Sequence, residues 1–360
     1  MERNYTIDFI KFFAIFLVVC IHTNPFNDTT VFGVNGDYVS NVIVALAKIG
    51  VPLFFAISGY LFFVKYQVAE NKNQYFKKYM KKIFSLFVWW YLFYILYDLV
   101  LILITDLSNG SHTVIQQFQE YFSSLFNAGF IFYGTLSNSS YHLWYLIALL
   151  WSILILYITL KVNKLNILLI FSFILHLVGQ FGQSYSGLID FPLNTRDALF
   201  FGLFYVSLGS FFAKNNEAIL RSTKKLKIIP LILLSIFFIF LQVIERTVTY
   251  SLWNPLNINY FISTIPAIIC IMIIVAKYPT IGKGSWISKI GANAVGIYVS
   301  HVFFLELTLT IFNNPSLKNV VVQLILTPFI FFISYLFYKY LQFAKAIVIK
   351  IEKSKKLQHI

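Results

Sequence analysis

Asp8, Lys11 and His22 are three ionisable side chains within a single apolar run, residues 8–22. If the run is helical, Lys11 and His22 are eleven positions apart, which is within about 20° of whole turns and roughly 16 Å along the axis. Both then lie on one face. Asp8 precedes Lys11 by three residues, so the two are helical neighbours that can pair. A charge or an imidazole is costly in lipid and faces the protein interior or a wet cavity. The run is therefore expected to line a cavity, with Asp8 and Lys11 at its inner end and His22 at its outer end. The competing reading is that Asp8 and Lys11 snorkel to the interface and His22 merely ends the helix.

Further polar side chains interrupt other apolar runs. Lys48 stands more than two turns into its run, too deep for easy snorkelling, and calls for a buried partner or ligand. Asp98 and Glu306 are its candidate counter-charges. Gly50, Pro52 and Gly59 weaken the same run, and interrupted backbone at such depth is tolerated when it is buried or lines a cavity. Ser58 and Tyr60 flank Gly59. Ser58 reads first as a close helix contact, because no base lies near it in sequence and Gly-x-Ser-x-Gly is absent. His142 and Trp144 open another run and fit either an interfacial aromatic belt or a polar site at the level of His22. His22 and His142, at the outer ends of their runs, are expected to approach one another. His301 falls near the middle of a later run, where a packing role competes with a chemical one.

No His/Glu metal spacing, phosphate loop or dinucleotide fingerprint occurs. Cys20 and Cys270 lie in separate apolar runs without metal-ligand spacing, which argues against a disulfide or a metal site. The chemistry left to these residues is acid–base work on a bound substrate.

The elements that must position them are membrane helices. The 360 residues are 59% hydrophobic and 12% charged, with mean hydropathy +0.75. A soluble chain carries about 25% charged residues. The fold class expected is an all-α polytopic membrane protein, a bundle of about ten transmembrane helices. The spans are placed at 8–26, 41–64, 82–104, 142–160, 164–181, 197–213, 228–244, 258–277, 292–312 and 319–341. In that arrangement 23 of the 28 Lys and Arg fall on one side, and only Arg196, Arg246 and Lys318 fall in the opposite loops. The bias puts both termini in the cytoplasm. It also accounts for the net charge of +14 without nucleic acid. The N-terminal run has no small-residue cleavage site and is kept as the first span. The long connection 105–141 lacks Lys and Arg, and its residues 114–122 carry a helical apolar stripe expected on the outer surface. Residues 1–344 are expected to form one transmembrane domain and 345–360 a basic cytoplasmic tail.

Four stretches, in this order, resemble the integral-membrane acyltransferase family 3, which includes O-acetyltransferases of bacterial surface polysaccharides and peptidoglycan. They are Ile7-Asp8-Phe9-Ile10-Lys11 followed by His22; Val51-Pro52-Leu53-Phe54-Phe55-Ala56-Ile57-Ser58-Gly59-Tyr60; His142-Leu143-Trp144-Tyr145-Leu146; and Ile297-Tyr298-Val299-Ser300-His301. Each is weak alone and together they are specific. The family carries Arg where this chain has Lys11, a change that keeps the charge and loses the bidentate fork.

The resemblance implies a multi-pass protein of the bacterial cell membrane. It implies an acyl-CoA donor, acetyl-CoA foremost, presented from the cytoplasm, and a hydroxyl acceptor on an envelope glycan, glycolipid or lipid-linked precursor. No bound cofactor and no metal are expected. His22 then serves as general base, with an imidazole pKa near neutrality. Lys11 holds donor phosphate or polarises the thioester oxygen, and Asp8 positions Lys11. Lys48, Ser58, Tyr60, His142, Trp144, Glu306 and His301 are candidates for the substrate or donor pocket. The alternatives are a secondary transporter or flippase, which also uses broken spans and intramembrane charge, and a binding or sensing module of a larger assembly.

Overall fold

The computed structural model describes residues 2–110, 113–125, 129, 138–189, 191–255, 258–312 and 319–358, with backbone alone from 348 onward. Parts of the long connection (126–128 and 130–137), Lys318 and the last two residues of the tail lie outside the described residues.

The described chain is helical apart from one two-stranded hairpin, β1 (Thr30–Val31) with β2 (Val34–Asn35). Among the described residues, eight helical segments are long and apolar enough to cross a membrane, and nine if one bent pair counts as a span. This is a multi-pass membrane protein. The expectation of ten spans is not met by that measure. All ten expected positions carry helix, but the eighth holds only α11 (Thr264–Lys277). Its 14 residues reach roughly 21 Å at 1.5 Å per residue, against a hydrocarbon core of about 30 Å. The sixth position holds the bent pair: Ala198–Lys214 turns by 79° into Asn216–Ser222. Ala198–Gly202 is a π-helical turn leading into α8 (Leu203–Lys214).

Residues separate into two compact units, one of 1–7 and 45–281, the other of 8–44 and 282–360.

In the larger unit, α3 (Gly50–Val68) packs backbone to backbone with α8. A Cβ on Gly59 would stand 2.0 Å from the Val206 carbonyl oxygen, and one on Gly209 would stand 1.8 Å from that of Ala56. Small residues allow this approach in a medium that supplies no hydrophobic drive between helices. Ser210 Oγ donates to the Gly59 carbonyl at 3.0 Å across the same contact. Gly59 is thus a packing residue and does not interrupt its helix. The break in the apolar run lies earlier, at Lys48–Ile49, between α2 (Gly36–Ala47) and α3. Pro52 falls in the first turn of α3, where no intrahelical N–H bond is lost.

α4 (Lys72–Asn109) starts on Asn71, whose side chain accepts from Gln74 N at 2.9 Å, and ends on Gly110 with φ +62°. The expected amphipathic stripe forms α5 (Val114–Leu125). Tyr121 of α5 is buried and donates to Asp98 of α4 at 3.0 Å. α6 (Trp144–Lys161), α7 (Leu165–Gly179) and α10 (Ile228–Trp253) complete this unit, with the short α9 (Asn216–Ser222).

In the smaller unit, α1 (Tyr5–Thr23, counted here from Asp8) meets the short α12 (Trp286–Gly291) and α14 (Val320–Gln358). Phe331 stands edge-on to Phe12 at 5.3 Å and to Phe16 at 5.4 Å. A Cβ on Gly291 would be 1.9 Å from the Asp8 carbonyl oxygen. Thr23 and Thr327 hydroxyls share a hydrogen bond of 2.7 Å. Between α12 and α14 runs α13 (Ala294–Ile311), whose Gly296 faces the Tyr338 ring. α14 continues without a break through 344, so the expected tail begins as more of the same helix.

Candidate active site

α1 is one uninterrupted helix, which keeps Lys11 and His22 on a common face about 16 Å apart along the axis. Lys11 Nζ lies 3.4 Å from Asp8 Oδ1, the i,i+3 pairing that the spacing suggests. Asp8 is buried and Lys11 half-buried. The carboxylate therefore holds the ammonium beside the helix surface.

His22 is half-buried in the last turn of α1. Its ring centroid is 5.0 Å from that of His301, with the planes at 52°. His301 is fully buried in α13. Its Nδ1 lies 2.7 Å from the Tyr298 carbonyl oxygen and 3.2 Å from that of Ile297. Carbonyls only accept, so Nδ1 carries a proton and donates it to the backbone. The two imidazoles, 279 positions apart in sequence, form one polar centre. Glu306 sits five residues beyond His301 in α13 and is half-buried. Among the described residues, no group of three or more His, Cys, Asp or Glu is placed to hold a metal ion.

The remaining candidates belong to the larger unit. Lys48 Nζ donates to Asn259 Oδ1 at 3.1 Å. Its partner is an amide; Asp98, one proposed counter-charge, accepts from Tyr121 instead. Glu306, the other, lies in the smaller unit. Ser58 Oγ is 3.2 Å from the Tyr145 hydroxyl, a helix–helix contact. Tyr60 is half-buried in the stretch of α3 that packs on Gly209.

Trp144 is buried among Phe55 and Phe201, with the Arg196 guanidinium 5.0 Å above its ring. His142 is 1% exposed and meets the Tyr94 ring at 5.1 Å. Neither has the exposure of an interfacial belt. His22 and His142 fall in different compact units, and each is placed within its own.

Asn259, Arg196 and Gln183 were not among the sequence candidates. Asn259 was absorbed into the eighth expected span, although the helix begins only at Thr264. The polar pair Asn257 and Asn259 before that apolar run was the available signal. His176, also passed over, is a core residue. Its Nδ1 lies 3.0 Å from the Phe200 carbonyl oxygen, and its Nε2 lies 3.3 Å from the Tyr205 hydroxyl.

Two amino-acid racemases of Enterococcus faecalis are similar to part of the chain. One is 30% identical over 227 residues, covering 58% of this chain and 29% of the racemase. The other is 28% identical over 227 residues, covering 59% and 28% respectively. The chain thus spans less than a third of the length of the curated relatives it matches. No solved structure matches. The family model of acyltransferase family 3, described as an acyltransferase domain, matches residues 4–339. With the four stretches standing in family order on helices of a multi-pass membrane protein, the chain belongs to acyltransferase family 3.

Proposed function

We propose that the protein transfers an acyl group, acetyl foremost, from acyl-CoA to a hydroxyl of an envelope glycan or glycolipid precursor, with both termini in the cytoplasm. The observation that carries this reading is the polar line along α1, with the Asp8–Lys11 pair in its first turns and the His22–His301 centre at its other end.

His22 takes the proton of the acceptor hydroxyl as its oxygen attacks the thioester carbon. The tetrahedral intermediate collapses, the C–S bond breaks, and the imidazolium returns the proton to the departing thiolate. The products are the O-acyl ester and free CoA thiol. The last-turn carbonyls of α1 complement the positive charge that His22 carries between these steps. His301, with Nδ1–H committed to backbone carbonyls, positions the His22 ring. Lys11 is too far along the helix to contact the carbon on which His22 acts, since both would have to lie within about 3 Å of the reacting atoms. Of its two expected roles, holding donor phosphate fits, and polarising the thioester oxygen does not. The basic loops assigned to the cytoplasmic side attract the same phosphates. The racemase activity named for the Enterococcus faecalis relatives is not carried over, because the match spans under a third of each.

A transporter or flippase of an envelope precursor is the second reading, favoured by the break at Lys48–Ile49 inside an apolar run. One experiment separates them. The purified protein in lipid vesicles is given radiolabelled acetyl-CoA and an envelope glycan fraction. CoA thiol release matched by label on the glycan supports acyl transfer. Glycan movement across the vesicle wall with no thiol release supports transport and overturns the enzyme.

A further inference from the structure

The acyl-transfer reading leaves one cavity of the larger unit without a task. It measures about 400 Å³ and lies between two facing stripes, Asp98, Leu101 and Ile102 on α4 and Gln117, Glu120, Tyr121 and Ser124 on α5. Spacings of three and four residues put each set on one face of its helix. The volume falls in the range of about 300–1,000 Å³ usual for small-molecule sites.

The hairpin around the cavity is braced at two levels. At the turn, Gly110 has φ +62°, and Asp106 Oδ1 accepts from Thr113 N at 2.9 Å and from Thr113 Oγ1 at 3.2 Å. About two turns away along α4, the Tyr121 hydroxyl donates to Asp98 Oδ2 at 3.0 Å. Ser139 hydrogen-bonds the same carboxylate.

The protons of this wall are directed into the protein. Gln117 Nε2 donates to Thr113 Oγ1 at 2.8 Å and to Asp106 Oδ1 at 3.4 Å; the flipped amide would set oxygen against a carboxylate. Ser124 Oγ donates to the Tyr121 carbonyl oxygen at 2.7 Å. Glu120 Oε1 accepts from Gln116 Nε2 at 3.0 Å. A carboxylate accepts at about four sites, so these bonds do not saturate Asp98 or Glu120. What the wall offers a ligand is therefore hydrogen-bond acceptors: carboxylate oxygens on both helices and the Gln117 carbonyl oxygen.

Charge placement agrees. Residues 83–160 contain no Lys or Arg, yet Asp98, Asp106 and Glu120 fall among them. Membrane insertion accounts for the missing cations on a stretch assigned to the outer side, but it does not call for carboxylates. Asp98 is buried within the α4 span, where an ionisable side chain is costly. Such a wall repels phosphate and carboxylate and is satisfied by a ligand rich in O–H donors. Acceptors on two helices suit several hydroxyls of one ring, and Leu101, Ile102 and the Tyr121 ring give its C–H face an apolar surface.

We propose that the α4–α5 cavity binds a sugar unit that carries hydroxyls and no anionic group. This rests on the acyl-transfer reading and names its acyl-acceptor class: a neutral glycan unit.

The test begins with binding in the absence of acyl donor. Full-length protein in phosphatidylcholine nanodiscs is titrated with methyl β-D-glucopyranoside, N-acetyl-D-glucosamine, D-glucuronate and ethanolamine, and the thermal midpoint is followed. Expected is a saturable rise with at least one neutral sugar, and binding at least tenfold weaker with glucuronate. The neutral sugar's dissociation constant should weaken at least fivefold in Asp98→Asn and in Glu120→Ala. Glu120 is exposed, so its variant decides should Asp98→Asn not fold. Ser123→Ala, at an exposed position of α5 outside the cavity, should change binding less than twofold. No response to either neutral sugar, an equal or stronger response to glucuronate, or unchanged binding in Glu120→Ala would overturn the proposal. So would a response to ethanolamine alone, which gives the cavity to an ammonium group. In the acyl-transfer assay, Glu120→Ala should raise the acceptor KM at least fivefold with kcat within twofold. Transfer with an unchanged acceptor KM would overturn the proposal and leave the enzyme standing. Absence of transfer with sugar binding intact would strike the enzymatic reading and leave the sugar site standing.

Discussion

Lys11 and Lys48 are both lysines within apolar runs, and the two units treat them differently. In the smaller unit, Lys11 has a carboxylate three residues away on its own helix. In the larger unit, Lys48 stands at a helix break and meets an amide 211 residues away, shared with Arg196. A pair closed by a carboxylate is locally neutral and can sit at a helix surface with little strain. Lys48 shares a neutral acceptor with a second cation, so its position is set by a contact with distant chain and not by its own helix. The first arrangement suits steady positioning of one donor phosphate; the second ties distant segments of the larger unit together.

The contrast breaks most completely where unit packing is attacked. Gly209→Leu drives a side chain into the Ala56 carbonyl at the α3–α8 contact. The cost should exceed the about 1–3 kcal/mol usual for overpacking, because backbone atoms cannot step aside. Folded protein should disappear from size-exclusion profiles, whereas Lys11→Ala and His301→Gln should leave the profile as in wild type.

Next in size is Lys11→Ala, which should raise the KM for acyl-CoA about 10–100-fold, as expected for one charge-assisted contact of about 1.5–3 kcal/mol. Lys11→Arg should stay within a few-fold, since Arg also binds phosphate. A fall in kcat with unchanged donor KM would return Lys11 to the thioester.

His301→Gln should lower kcat about threefold to tenfold and leave the donor KM alone, the size of a ring–ring contact of about 0.5–1.5 kcal/mol. An unchanged kcat would reduce His301 to packing, as for His176.

The smallest effect concerns orientation. Asn109 and Lys77 lie near opposite ends of α4 and are exposed, while both native cysteines are buried. Asn109→Cys should react with an impermeant maleimide on intact cells, and Lys77→Cys only after permeabilisation, both at near-normal activity. The reverse pattern would invert the topology.

The membrane-spanning helices were legible because each is an apolar run longer than ten residues, and the Asp8–Lys11 pair because it is local. The eighth span was over-extended because hydropathy does not register that Asn259 precedes Thr264 as irregular chain. Of Gly50, Pro52 and Gly59, all read as weakening the run, only Gly50 adjoins the break at Lys48–Ile49, since a glycine that lets backbones meet, as Gly59 does, and a glycine that loosens a helix look alike in sequence. His301 was flagged only as a polar residue in an apolar run. That it stands beside His22, and that Lys48 and Arg196 share an oxygen, depends on contacts between distant segments that no local period encodes.

The central claim is that His22 is the base for acyl transfer. The most direct test is the initial rate of acetyl-CoA-dependent acyl transfer by purified wild type and His22→Gln in identical vesicles between pH 5.5 and 8, a range of about one unit or more either side of an unperturbed imidazole pKa of about 6.5. A base must be unprotonated to act, so the wild-type rate should rise as pH passes upward through the imidazole range. His22→Gln should be slower by about 10²–10⁴-fold and lack that rise, with folded protein recovered in normal amount. A His22→Gln rate within twofold of wild type, or the same rise with pH in both, would contradict the claim.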